Sequence, residues 1–98
     1  MSYNLKEKLN FLDDLEKLFK SYKGEEKKKF SQVYLKFNEH VQELLLQDIE
    51  EDNKEYVKLI KQLDTLNQDL NSAQKDIKKI NHLILSLNKS IELIGGLI

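Results

Sequence analysis

The sequence predicts an all-α fold, an elongated antiparallel helical bundle of two long or three helices with a C-terminal heptad coiled-coil helix. Three observations carry this. Helix breakers are scarce, with no Pro and only three Gly in 98 residues. Val and Thr are scarce too: Val33, Val41, Val57 and Thr65 are all there are, which argues against a sheet. Finally, Tyr56, Leu59, Leu63, Leu66, Leu70, Ala73, Ile77, Ile80, Ile84, Leu87, Ile91 and Ile94 follow one another in alternating steps of three and four. On a helix of 3.6 residues per turn that rhythm draws one narrow apolar seam.

The first element is expected over residues 4–22. Leu5, Leu9, Leu12, Leu15, Leu18, Phe19 and Tyr22 share a broad face, while Asp13, Asp14, Lys17 and Lys20 point elsewhere. Asn4 and Glu7 fit a capping box, in which the Asn oxygen takes an orphan amide and the Glu reaches back to the cap. Gly24 suits a left-handed C-terminal cap, and Glu25 and Glu26 suit the first turn of a new helix. A Gly inside a continuous helix costs only about 1 kcal/mol, so an unbroken rod remains the alternative at this joint.

The second element is expected over residues 26–49. Phe30, Tyr34, Phe37, Val41, Leu44 and Leu45 recur at helical spacing with Val33 beside them. Phe30, Tyr34, Phe37 and the flanking Tyr22 carry large apolar area and are expected to dominate the local core. The next joint is acidic, running from Gln47 to Asn53. Extending the seam backward places Asp52 on it, where a carboxylate is costly to bury. Asp52 with Glu55 also reads as a second capping box. The competing reading is one helix with a stutter, since Val41, Leu45, Ile49 and Tyr56 nearly keep phase.

The third element is expected to run unbroken over residues 53–94, reaching roughly 60 Å at 1.5 Å per residue. Leu59, Leu66, Ile80, Leu87 and Ile94 take one core position of the heptad, and Leu63, Leu70, Ile77, Ile84 and Ile91 take the other. These are the expected partner-binding residues. Ala73 narrows the seam, leaving room for a bulky side chain opposite. One edge carries Asn67, Gln74, Asn81 and Asn88; the other carries Gln62, Asp69, Asp76, Leu83, Ser90 and Leu97. Past Ile77, the side chains of Leu83, Leu85, Leu93, Leu97 and Ile98 add apolar surface off the seam. Either the first two elements or a second chain must cover it. Gly95 is expected to end the helix, with Leu97 and Ile98 folding back on it or inserting into a partner groove or lipid headgroups.

Composition excludes several functions. The net charge is −1, from 16 basic and 17 acidic residues, and every basic residue is Lys. Lys lacks the bidentate fork that reads guanine and clamps phosphate, so nucleic-acid binding is not expected. No Cys means no disulfide, thiolate metal site or thiol chemistry. His40 and His82 belong to no ligand spacing; Phe37 and Lys79 stand where an E-x-x-H motif needs Glu. Asp48, Glu50, Glu51, Asp52 and Glu55 lack the central Gly of a calcium loop and read as a solvated turn. Lys27, Lys28 and Lys29 are offset by Glu25 and Glu26. No nucleophile triad, phosphate loop or redox motif is present. The start of the sequence lacks the features of a signal peptide and no apolar run would span a bilayer, so a cytoplasmic protein is expected. The expected function is therefore that of a non-enzymatic helix-pairing protein with no cofactor, metal or small-molecule substrate. It would serve as a small adaptor, scaffold subunit or helical partner protein, paired with itself or with another helical protein. The alternative is a membrane-active helical protein using its apolar C-terminal segment from Leu83 to Ile98.

Overall fold

A computed structural model describes the chain from Tyr3 to Ile98, with side chains from Leu5 onward. Among the described residues there are five α-helices and no strand: α1 (Tyr3–Lys8), α2 (Leu12–Ser21), α3 (Gly24–Leu45), α4 (Lys54–Lys75) and α5 (Ile80–Gly95), with a 3-10 turn at Ile77–Lys79. The all-α bundle read from the sequence is the fold. Its element boundaries differ in four places, each for a local reason.

The first element is split. The amides of Asn10 and Leu12 bond three residues back, to Glu7 and Leu9, before the α pattern resumes with Leu15 bonding Phe11. This tight turn rotates the phase of α2 so that Leu9 and Phe11 both point inward. Phe11 stacks on Phe37 with ring centroids 6.5 Å apart, and Leu12 and Phe19, expected in the core, are only partly buried. Asn4, expected as the cap, already lies within α1, which is described from Tyr3; its side chain is outside the described ones.

Gly24 adopts the left-handed backbone expected of it, but as the first residue of α3; the residue that caps the end of α2 is Tyr22. Tyr22 and Lys23 are extended, and Gly24 follows at φ 62°, a left-handed value that side chains resist. Glu25 and Glu26 then occupy the first turn of α3. The hairpin of α2 on α3 closes over aromatic rings: Phe19 stacks on Tyr34 at 4.4 Å, and Tyr22 meets Phe30 edge-on at 5.1 Å. Lys27 adds a cation–π contact 4.8 Å from the Phe19 centroid.

At the second joint α3 ends at Leu45 rather than residue 49, and the helix cap is one residue later than expected. Asn53, not Asp52, accepts from the amides of Glu55 and Tyr56 at 2.9 and 3.2 Å. The acidic stretch before it is an exposed loop.

The fourth difference is the largest. The third element is not a single rod. Asp76 leaves the helical region at φ −147° and ψ 111°, its carboxylate accepts from the Lys78 amide at 3.0 Å, and the chain reverses before Ile80. Asp76 thus acts as a helix cap, and the seam folds back on itself as a hairpin of α4 and α5.

The helices have nowhere else to go. α3 and α4 each contain 22 residues, roughly 33 Å of helix, and the longest dimension of the molecule is 40 Å. They therefore run up and down the length of the molecule, and α5 runs up again between them, antiparallel to α4 and parallel to α3. α1 approaches α4 and α2 approaches α3, while α5 closes the square against both α3 and α4. At the far end of α5 the Leu97 amide bonds the Ile94 carbonyl at 2.8 Å and its side chain packs on the core, whereas Ile98 stays exposed.

Candidate functional site: the apolar seam of α4 and α5

The ten positions expected to bind a partner divide sharply. Leu59, Leu63, Leu66, Leu70, Ile80, Leu87, Ile91 and Ile94 are buried within the chain. Ile84 is half-buried against the same core. Ile77 is 53% exposed, because it lies in the turn rather than on either helix. The seam thus meets helices, as the rhythm implies, and in this structure the helices it meets belong to its own chain.

The off-seam residues of α5 explain how. Because α5 lies between α3 and α4, it buries two adjacent stripes instead of one. Leu83 and Leu87 are fully buried, and α3 supplies the cover that the C-terminal apolar surface requires. Leu85 faces outward and stays 67% exposed.

Two serines are buried, Ser90, which the sequence places on one edge of the heptad, and Ser86, which it does not single out. Ser86 and Ser90 lie in the interface, where small side chains let α5 come close to its neighbours. The Ser86 hydroxyl donates to the Asp69 carboxylate across the hairpin. The Ser86 carbonyl accepts from the Gln62 amide at 3.3 Å and from the Ser90 hydroxyl at 2.9 Å. Gln62, Asp69 and Ser90 are three of the residues that share one edge of the heptad. That edge becomes a polar bolt between α4 and α5, and its seven-residue spacing was the available signal. A second polar tie joins α1 to α4, where the Lys8 ammonium reaches both oxygens of Asp64 at 2.8 and 3.1 Å.

The remaining groups are arranged as structure. His40 Nδ1 lies 2.9 Å from the Lys36 carbonyl one turn back, and His82 is exposed. Among the described residues no group of His, Asp and Glu has the arrangement to hold a metal ion. The Tyr22 and Tyr56 hydroxyls are buried without a hydrogen-bond partner among the described residues. Burial pushes the Tyr22 hydroxyl above its ordinary pKa of 10.0. An open groove between α4 and α5 is lined by Lys58, Lys61, Gln62, Thr65, Lys89 and Leu93. No helix among the described residues is long and apolar enough to cross a membrane.

Comparison with protein-family models, with curated proteins and with solved structures gave no match.

Proposed function

We propose that the protein is a non-enzymatic helix-pairing protein, a small cytoplasmic adaptor or scaffold subunit whose seam on α4 and α5 takes other helices as partners. The observation that supports this reading is the company the seam keeps: eight of its ten positions are buried against helices, here those of their own chain, so a partner helix reaches them only by taking the place of one of these. A surface shaped by aliphatic side chains at three- and four-residue spacing is complementary to another helix and offers little to a small polar substrate.

The membrane-active alternative is less favourable. Leu83, Leu87, Ile91 and Ile94 lie in the core, and drawing each out toward lipid forfeits roughly 1.5–3 kcal/mol of burial until lipid replaces it. Mild cross-linking of the protein at its natural abundance, followed by mass determination, tests the proposal. The expected product is an assembly heavier than one chain, with cross-links at lysines of α4 and α5 such as Lys61 and Lys89. Cross-links confined within single polypeptides, with no species heavier than one chain, overturn the proposal.

A further inference from the structure

The α4–α5 reversal stands in an unusual relation to the seam it interrupts. Between Lys75 and Ile80 the backbone of Asp76 is extended, Lys79 at φ −85° and ψ 3° lies just outside the helical region, and Ile77–Lys79 already form a 3-10 turn. The turn contains no Gly, no Pro and no positive φ. Its length is close to one helical turn, so the rhythm Ala73, Ile77, Ile80 passes through it unshifted. Rotating Asp76 into the α region, with small adjustments in the turn, would make α4 and α5 one helix with a single unbroken seam. Ile77 would then lie on that seam instead of facing solvent.

The register of the hairpin shows what such a helix would meet. Asp69 reaches Ser86, and Lys61 and Thr65 share a groove with Leu93 and Lys89. Facing residues are thus spaced about evenly on either side of residue 77. Two straightened helices from two copies, laid antiparallel in this same register, are related by a two-fold axis at residue 77. Each α5 then fills the place of the other between α3 and α4, and the contacts it makes with those two helices in the closed chain are made again. At the axis Ile77 meets its own copy beside the small side chain of Ala73.

We propose that two copies of this chain form a dimer by exchanging α5, the Asp76 turn opening into continuous helix. This rests on the helix-pairing reading and names a second copy as the partner. The closed and exchanged forms share the α5 interface, so the balance between them is set by concentration, by burial of Ile77 and by the Asp76 cap. The cap, at 3.0 Å to the Lys78 amide, favours the closed chain.

The absence of Cys makes a clean test possible. A Thr65→Cys, Lys89→Cys chain carries one thiol on each side of the α4–α5 groove, and a short bis-maleimide joins them. In a closed chain the link lies within one polypeptide; in the exchanged dimer it lies between two. The protein is concentrated, separated by sizing with light scattering, cross-linked and denatured. The expected result is a dimer fraction that grows with concentration and whose links join two chains. Asp76→Ala is expected to raise its association constant about twenty-five-fold, since each dimer forms at the expense of two caps worth about fivefold apiece. A strict monomer in both the parent and Asp76→Ala overturns exchange, as does a dimer whose links all lie within single chains. Those outcomes remain distinct from failure of helix pairing itself, which is read from the cross-linked mass at natural abundance.

Discussion

The chain reverses direction by two different means at Tyr22–Gly24 and at Asp76–Lys79. The first reversal is built into the backbone: Gly24 at φ 62° has nothing within 4 Å of where a Cβ would stand, so its requirement for Gly is conformational rather than steric crowding. The second is built from a side chain: remove the Asp76 carboxylate and every remaining residue of the turn is at ease in a helix. The first turn is enforced locally, whereas the second persists because Leu66, Leu70, Leu83 and Leu87 bury one another once it has formed. A joint can be rigid through its own dihedrals or hold only through what it brings together.

Substitutions separate the two. Leu87→Ala should have the largest effect, about 2–5 kcal/mol in urea unfolding, because it empties fully buried volume in the part that holds the second turn. A loss under 1 kcal/mol would show that burial does not hold that turn. Gly24→Ala should cost about 1–2 kcal/mol by the same measurement, the price of a left-handed alanine. No change there would erase the contrast between the turns. Tyr22→Phe, beside that Gly, should instead stabilise by about 1 kcal/mol, since it deletes a buried hydroxyl without a partner. Its effect has a pH signature. The raised folded-state pKa of Tyr22 means its contribution is fully present below the unfolded value of 10.0 and is lost as pH climbs above it. Thermal melts in alkali should therefore fall less steeply for Tyr22→Phe than for the parent. Asp76→Ala should weaken the closed monomer by about 1 kcal/mol in dilute solution, and Asp76→Asn, which keeps a capping oxygen, should restore most of it. Ile77→Ala should be nearly silent there, within about 0.5 kcal/mol, because the side chain faces water.

The same contrast explains what could be read from the residues. Gly24 was legible because a residue type announced the backbone it permits. The seam was legible as a helix-facing surface, and Leu59 through Leu70 and Ile80 through Ile94 lie where an apolar stripe belongs. The Asp76 reversal was not legible from periodicity. An interruption of about one turn returns the pattern to phase, so a hairpin and a straight rod have the same rhythm. The available clues were chemical: an Asp able to cap, the weak seam member Ala73 just before it, and a polar run from Asn71 through Asp76 relieved only by that alanine. The Phe11 turn was missed for a related reason, since the Leu5, Leu9, Leu12 spacing satisfied a helix and concealed the better-packed aromatic one residue away. At the second joint both Asp52 and Asn53 are residue types that cap helices, so sequence alone leaves one residue of play, and it is Asn53 that accepts the Glu55 and Tyr56 amides.

The segregation of aromatic and aliphatic packing has a kinetic consequence. Phe19, Phe30 and Tyr34 are near neighbours along the chain, so bringing them together closes only a short loop. The Lys8–Asp64 tie spans a separation of 56 residues and must await most of the molecule. The α2–α3 hairpin is thus the natural nucleus of folding, with α1 among the last parts to dock. Truncating Phe30 should slow refolding, whereas truncating Leu5 should chiefly hasten unfolding; stopped-flow traces with the opposite pattern would reverse that order.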